Sequence, residues 1–276
     1  MGHLGQHEGL MSAPALFAAG DLAGCLAQLQ GDVRRQPADG KLRVFLAQLL
    51  MVTGDWDRAL TQLGVAAELD AGALPMLHAY GAAIQCERLR AEVFRGTRSP
   101  LVFGEPVPWI AGVLQALALD ADGKAEQAAS LRIQSLESAA AVAGTLNGKP
   151  FEWIADADSR LGPILEVVLE GGYYWVPFER IQRVVVEPPA DARDFVWLPA
   201  QITWSNGGEA IGFLPARYPG SEASEDSAIR LGRKTEWRAL GGGDQYAGLG
   251  QRVLTTDAEE SGLLELRELT LAAAGE

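Results

Sequence analysis

Asn147-Gly148-Lys149-Pro150 separates two patterns in this chain of 276 residues. Before it, Ala and Leu recur at spacings of three and four, as a buried helical stripe requires; after it come short extended runs bounded by Gly, Pro and Asp. The reading is α+β. A tetratricopeptide-like helical-repeat domain occupies residues 13–148 and a small antiparallel, barrel-like β-rich domain residues 149–271, with a disordered leader at 1–12 and a tail at 272–276.

Upstream of the boundary, Leu46, Leu49 and Leu50 lead to a break at Gly54-Asp55, beyond which Ala59, Leu60, Leu63 and Ala67 resume the stripe. Gly20-Asp21-Leu22 stands 34 residues before Gly54-Asp55-Trp56, and Gly123-Lys124-Ala125 follows 69 residues after it, close to two further periods. The turn between them is expected at Glu87-Arg88-Leu89. A small residue, Cys25, Ala59 or Ala128, lies five positions after each glycine, where two antiparallel helices would approach closely. A period near 34 with such a contact is the tetratricopeptide pattern. Asp39 and Asp55 suit N-caps, Pro75 and Pro106 suit first turns, and residues 96–105 form a break before the final pair. Stacked helix pairs leave a concave face that holds peptides or helices. Trp56 and Leu60 are candidate partner-binding residues there, since Trp56 stands where the other repeats have Leu22 and Ala125.

Downstream, residues 164–170, 181–187, 195–204, 210–214, 251–256 and 263–269 are rich in β-branched or aromatic residues and read as strands. Asn206-Gly207-Gly208 is a hairpin turn. Trp153, Trp175, Trp197, Trp204 and Trp237 read as core, and 220–226 and 241–250 as loops.

The chemistry of common enzymes is hard to find. With 23 Lys and Arg against 36 Asp and Glu, the net charge is −13, which repels phosphate backbones and argues against nucleic acid. No apolar run spans a membrane, and no basic segment precedes the first apolar stretch, so a cytoplasmic location is expected. Cys25 and Cys86 form neither a disulfide framework nor a zinc ligand set. His78 lies on a helix with no nucleophile or carboxylate motif, and His3 and His7 are in the leader. Taken as a calcium loop from Asp156, the sequence offers Arg160, Leu161 and Val167 where an oxygen ligand, Gly and Glu are needed, so Glu152, Asp156 and Asp158 read as turn caps and partners of Arg160. The glycines at 241–243 and 248–250 precede an extended run rather than a helix, so they are no phosphate loop and no cofactor is expected.

Several long motifs in the second half resemble one known family. They are PFEWIADADSRLGP at 150–163, GYYWVPFERI at 172–181, RDFVWLPA at 193–200, FLPARYPGS at 213–221, LGRKTEW at 231–237 and GQRVLTTD at 250–257. In this order they resemble the ImpE/SciE family, also called TagJ, an accessory part of the bacterial type VI secretion system. The resemblance implies a non-enzymatic adaptor that binds the N-terminal helix of the small contractile-sheath subunit and works near the ClpV ATPase, which disassembles the contracted sheath. Arg160, Arg180, Arg217 and Arg233 lie within these motifs and are candidate members of a binding or ion-pairing network. The competing reading is a hydrolase whose site is the arginine and aspartate cluster of the β-rich half.

Overall fold

The computed structural model describes residues 11–105, 107–241 and 243–272. The helices are α1 (Ala13–Ala19), α2 (Leu22–Arg35), α3 (Gly40–Val52), α4 (Trp56–Leu69), α5 (Leu74–Phe94), α6 (Pro108–Ala121) and α7 (Ala125–Glu137), with a short α8 at Ser227–Arg230. Gly20, Gly54 and Gly123 all have positive φ, between 74° and 81°. They close α1/α2, α3/α4 and α6/α7 into helical hairpins, because glycine enters the left-handed region without a Cβ clash. Cys25, Ala59 and Ala128 are fully buried, at the close approaches their spacing predicts. Asp39 accepts bonds from the Lys41 and Leu42 amides, whereas Asp55 makes no capping bond and pairs with Arg58 at 2.7 Å. Pro75 lies in the first turn of α5. In the last hairpin Pro108 opens α6, and Pro106 lies outside the described residues.

The expected turn at Glu87-Arg88-Leu89 does not form. α5 runs unbroken for 21 residues to Phe94, and the positive-φ glycine that ends this segment is Gly96. Its length has a physical reason: besides packing on α4, α5 lies along the sheet, where Tyr80 meets Trp197 and Phe213 and, about four turns on, Phe94 meets Trp175. The helices therefore do not form an even array of 34-residue pairs.

The strands are β1 (Leu101–Val102), β2 (Gly144–Leu146), β3 (Lys149–Phe151), β4 (Ile154–Asp156), β5 (Ile164–Leu169), β6 (Gly172–Pro177), β7 (Ile181–Val186), β8 (Trp197–Trp204), β9 (Glu209–Pro215), β10 (Thr235–Ala239), β11 (Tyr246–Gly250), β12 (Val253–Thr256), β13 (Glu260–Gly262) and β14 (Glu268–Leu271). Nine of them make a sheet of order β1-β6-β5-β9-β8-β7-β14-β2-β3, antiparallel except where β1 pairs parallel with β6. The barrel expectation is corrected here. The sheet is open, with edges at β1, only two residues long, and at β3, where Pro150 has no N–H to donate. β13-β12-β4 and β10-β11 form smaller sheets. The Asn206-Gly207 turn joins β8 to β9 as expected. Residues 263–265 form a 3-10 turn, so the last strand starts later, at Glu268.

Alternation along β5 and β6 decides which residues meet the helices. Ile164, Val168, Tyr173 and Trp175 join Leu46, Leu49, Leu63, Ile84 and Val93 in one core, whereas Leu165, Val167 and Val176 join Leu198, Leu254 and Leu269 in a second. The first core thus draws on both halves. Trp175, Trp197 and Trp204 are buried, but Trp153 and Trp237 are 39% and 40% exposed, contrary to a core role for all five tryptophans.

Candidate functional site

Two places concentrate polar chemistry. The first lies under α5. Because β5 alternates, Glu166 falls in the row facing the helices, where Arg90 of α5 meets it with two bonds, Nε to Oε1 at 2.7 Å and Nη2 to Oε2 at 2.8 Å. Arg252 approaches the same carboxylate at 3.3 Å and donates from Nε and Nη2 to Asp156 at 2.9 and 2.7 Å. Tyr173 donates its hydroxyl to Glu166 and accepts the Trp175 indole N–H at 2.7 Å. The Tyr218 hydroxyl donates to Asp156 at 2.9 Å. Trp197 donates to Glu87 at 3.1 Å.

Burial alone would raise the Glu166 carboxyl, but Arg90 and Arg252 outweigh it and hold the group down at about 2. At Asp156 burial prevails over Arg252, with Asp158 adding repulsion, and the carboxyl rises to about 6. Burial also raises Glu87, against the pull of Arg90. These groups are satisfied by one another, so the arrangement is a clamp between α5 and the sheet. Within it Asp156 is bound by Arg252 and Asp158 by Arg160 at 2.6 Å, and both carboxylates are buried.

The second place is a cleft of about 860 Å³ between α1, α3, α4 and the 3-10 turn Ala192–Phe195. Phe17, Val44, Phe45, Leu69 and Phe195 supply apolar walls. Asp39, Asp70 and Asp191 stand around it with Lys41. Asp39 and Asp70 are there because they begin helical segments, each accepting backbone N–H bonds through one oxygen, Oδ1. Asp191, the N-cap of the 3-10 turn, also pairs with Arg193 at 2.5 Å. Gln48 also lines the cleft and is only 5% exposed.

The candidates named from sequence are scattered. Trp56 is half-buried and lies against Trp197, ring centroids 5.7 Å apart, and Leu60 packs on the same core. Arg160 holds Asp158 and lies over the Phe94 ring at 4.8 Å. Arg217 is buried, which pulls its guanidinium down to about 10, and it donates to the carbonyls of Val52, at 2.8 Å, and Arg230. Arg233 donates to the carbonyls of Ala18 and Phe17 at the end of α1, at 3.0 and 3.4 Å. Arg180 lies 3.8 Å from Glu179, with about a third of its side chain exposed. None of the six lines the cleft. The cleft residues that sequence reading missed, Phe17, Phe45, Gln48, Leu69 and Phe195, left no local motif; only Asp39 carried a signal, as a cap.

An arrangement of helical hairpins set on an open antiparallel sheet is found in a crystal structure of the Vibrio parahaemolyticus protein VPA1032, with a TM-score of 0.85, 24% identity, and coverage of 94% of this chain and 97% of that one. That likeness defines the fold. The ImpE protein family profile matches residues 148–270, and the Pseudomonas aeruginosa protein named type VI secretion system accessory component TagJ is 51% identical over 259 residues, 94% of this chain and 90% of that protein. The chain belongs to the ImpE/TagJ family.

Proposed function

We propose that this protein is an accessory component of a type VI secretion system. It acts as a non-enzymatic cytoplasmic adaptor whose helical hairpins, a tetratricopeptide-like face, receive the N-terminal helix of the small contractile-sheath subunit near the ClpV ATPase. The observation that carries the reading is the 51% identity, across 94% of the chain, to a protein bearing that accessory name. Three features support it. Helix pairs leave a cleft of about 860 Å³ with apolar walls, as helix recognition requires. The charge of −13 disfavours nucleic acid as a partner. No helix among the described residues is long and apolar enough to cross a membrane.

The test is retention of the full-length protein on an immobilised peptide carrying the sheath subunit's N-terminal helix, with a scrambled peptide as control. Selective retention is expected. Equal recovery from both columns would overturn the adaptor reading.

A further inference from the structure

We infer that the outer edge of β10 is a self-association surface, to which a second copy of this chain adds its own β10, antiparallel about a two-fold axis at Trp237.

The edge is the first argument. β10 and β11 form a two-stranded ribbon in which the Gln251 N–H donates to the Lys234 carbonyl and the Leu240 N–H to the Gln245 carbonyl. Antiparallel bonding alternates along a strand. With Trp237 opposite Gly248, the backbone groups of Glu236 and Arg238 therefore point to β11, and those of Thr235, Trp237 and Ala239 point away from it. Residues 236–239 are all exposed, so no described residue covers that side. The far edge of the ribbon, by contrast, is closed within the chain. The Ser159 N–H donates to the Tyr246 carbonyl, and the Gly248 and Gly250 N–H groups donate to Asp158 and to the Ser221 hydroxyl, both at 2.8 Å. The large sheet blunts its own edges with the two-residue β1 and with Pro150 in β3. β10 has five residues, no proline and no bulge, and a two-stranded ribbon gains from further strands.

Charge selects the occupant. In a pairing centred on Trp237, Glu236 of each copy falls opposite Arg238 of the other, at the non-hydrogen-bonded position where side chains come closest. Thr235 falls opposite Ala239, and Trp237, 40% exposed, falls opposite its own copy. The strand is thus its own complement, as an isologous contact requires. A slip of two residues in either direction would set Glu236 against Glu236 or Arg238 against Arg238, so charge also fixes the register. The contact is small: one five-residue edge falls well short of the roughly 1,600 Å² of a stable interface, and each copy carries a net charge of −13. The dimer is accordingly a weak one that forms at high local concentration.

Sedimentation velocity of the full chain tests this, at loading concentrations from about 1 to 300 µM and about 0.15 M salt, where repulsion reaches only roughly 8 Å. The weight-average mass should climb with concentration from 29.4 kDa toward that of a dimer. Glu236→Lys sets Lys against Arg and Arg238→Glu sets Glu against Glu; each is expected to weaken association about tenfold. An equimolar mixture of the two variants restores both opposite-charge pairs and should associate as wild type does, which also shows that each variant is folded. Ala239→Pro deletes an outward N–H without touching a bond to β11, and it should hold the chain as a monomer. Wild type that stays at 29.4 kDa across the whole range would overturn the inference. So would wild-type association that neither charge variant nor Ala239→Pro diminishes, since the contact would then lie elsewhere on the molecule.

Discussion

The clamp under α5 and the cleft beside α3 are both rich in carboxylates, yet they are built in opposite ways. In the clamp, Glu166, Asp156 and Asp158 face arginines and buried hydroxyls or amides, and the Arg90–Glu166 pair joins the helical half to the sheet. In the cleft, Asp39 and Asp70 spend one oxygen on a helix start. The difference lies in how much of each charge the fold itself uses. A charge matched inside the fold has little left for a partner, whereas a cap residue at a cleft rim still has a face to present. By that measure Arg160 and Arg217, prominent in the family motifs, belong to the architecture.

The largest expected effect tests how deeply the clamp unites the halves. Expressed alone, residues 13–148 lose Ile164, Val168, Tyr173, Trp175 and Trp197 from their core, and the fragment should show no cooperative thermal transition by circular dichroism. A sharp transition would mean that the helices are self-sufficient. Next in size is Trp197→Ala, which should lower stability by about 3–5 kcal/mol in urea titration, since the ring is fully buried against Trp56 and Tyr80. If a variant kept its stability but no longer bound the peptide, Trp197 would be a contact residue instead.

Glu166→Gln should cost about 3 kcal/mol at pH 7, because it leaves Arg90 and Arg252 without their counter-charge. The pH dependence carries the signature. Glu166 ionises near 2 in the fold against 4.5 ordinarily, so its stabilisation is complete above pH 4.5 and drains away as pH falls toward 2. Asp156 runs the other way: raised from 3.8 to about 6, its contribution is present below pH 3.8 and is lost as pH rises through 6. Urea titrations from pH 3 to 7 should therefore show Glu166→Gln losing the acid-side slope and Asp156→Asn losing the slope between 4 and 6. Superimposable profiles would show that these carboxylates do not couple to folding.

The smallest effect belongs to the cleft. Asp39→Asn preserves the cap of α3 and should change stability by less than about 0.5 kcal/mol. A larger loss would make that carboxylate part of the fold, as in the clamp.

Legibility from sequence follows the same division. Gly20, Gly54 and Gly123 were readable because a hairpin break needs a left-handed residue, and little besides glycine supplies one. The course of α5 was not, because a helix covered by a sheet carries the same apolar spacing as one covered by helices. The glycines of β11 resembled a loop for a different reason: a Cβ at Gly248 would lie 2.2 Å from the Tyr218 ring, so that glycine marks a close approach inside a strand. Of the site, only Asp39 could be read locally. The rest of the cleft is assembled from residues between Pro14 and Phe195 that no window of sequence brings together.

The shared core also sets a timetable for the nascent chain. The helices leave the ribosome first, but α5 gains its covering of Trp175 and Trp197 only roughly 100 residues later, about 5–20 s at ordinary rates of synthesis. Through that interval its apolar face and Arg90 await partners not yet made. The cell must shelter a half-built interface each time it makes this protein, and a stall shortly after Pro150 would leave it exposed.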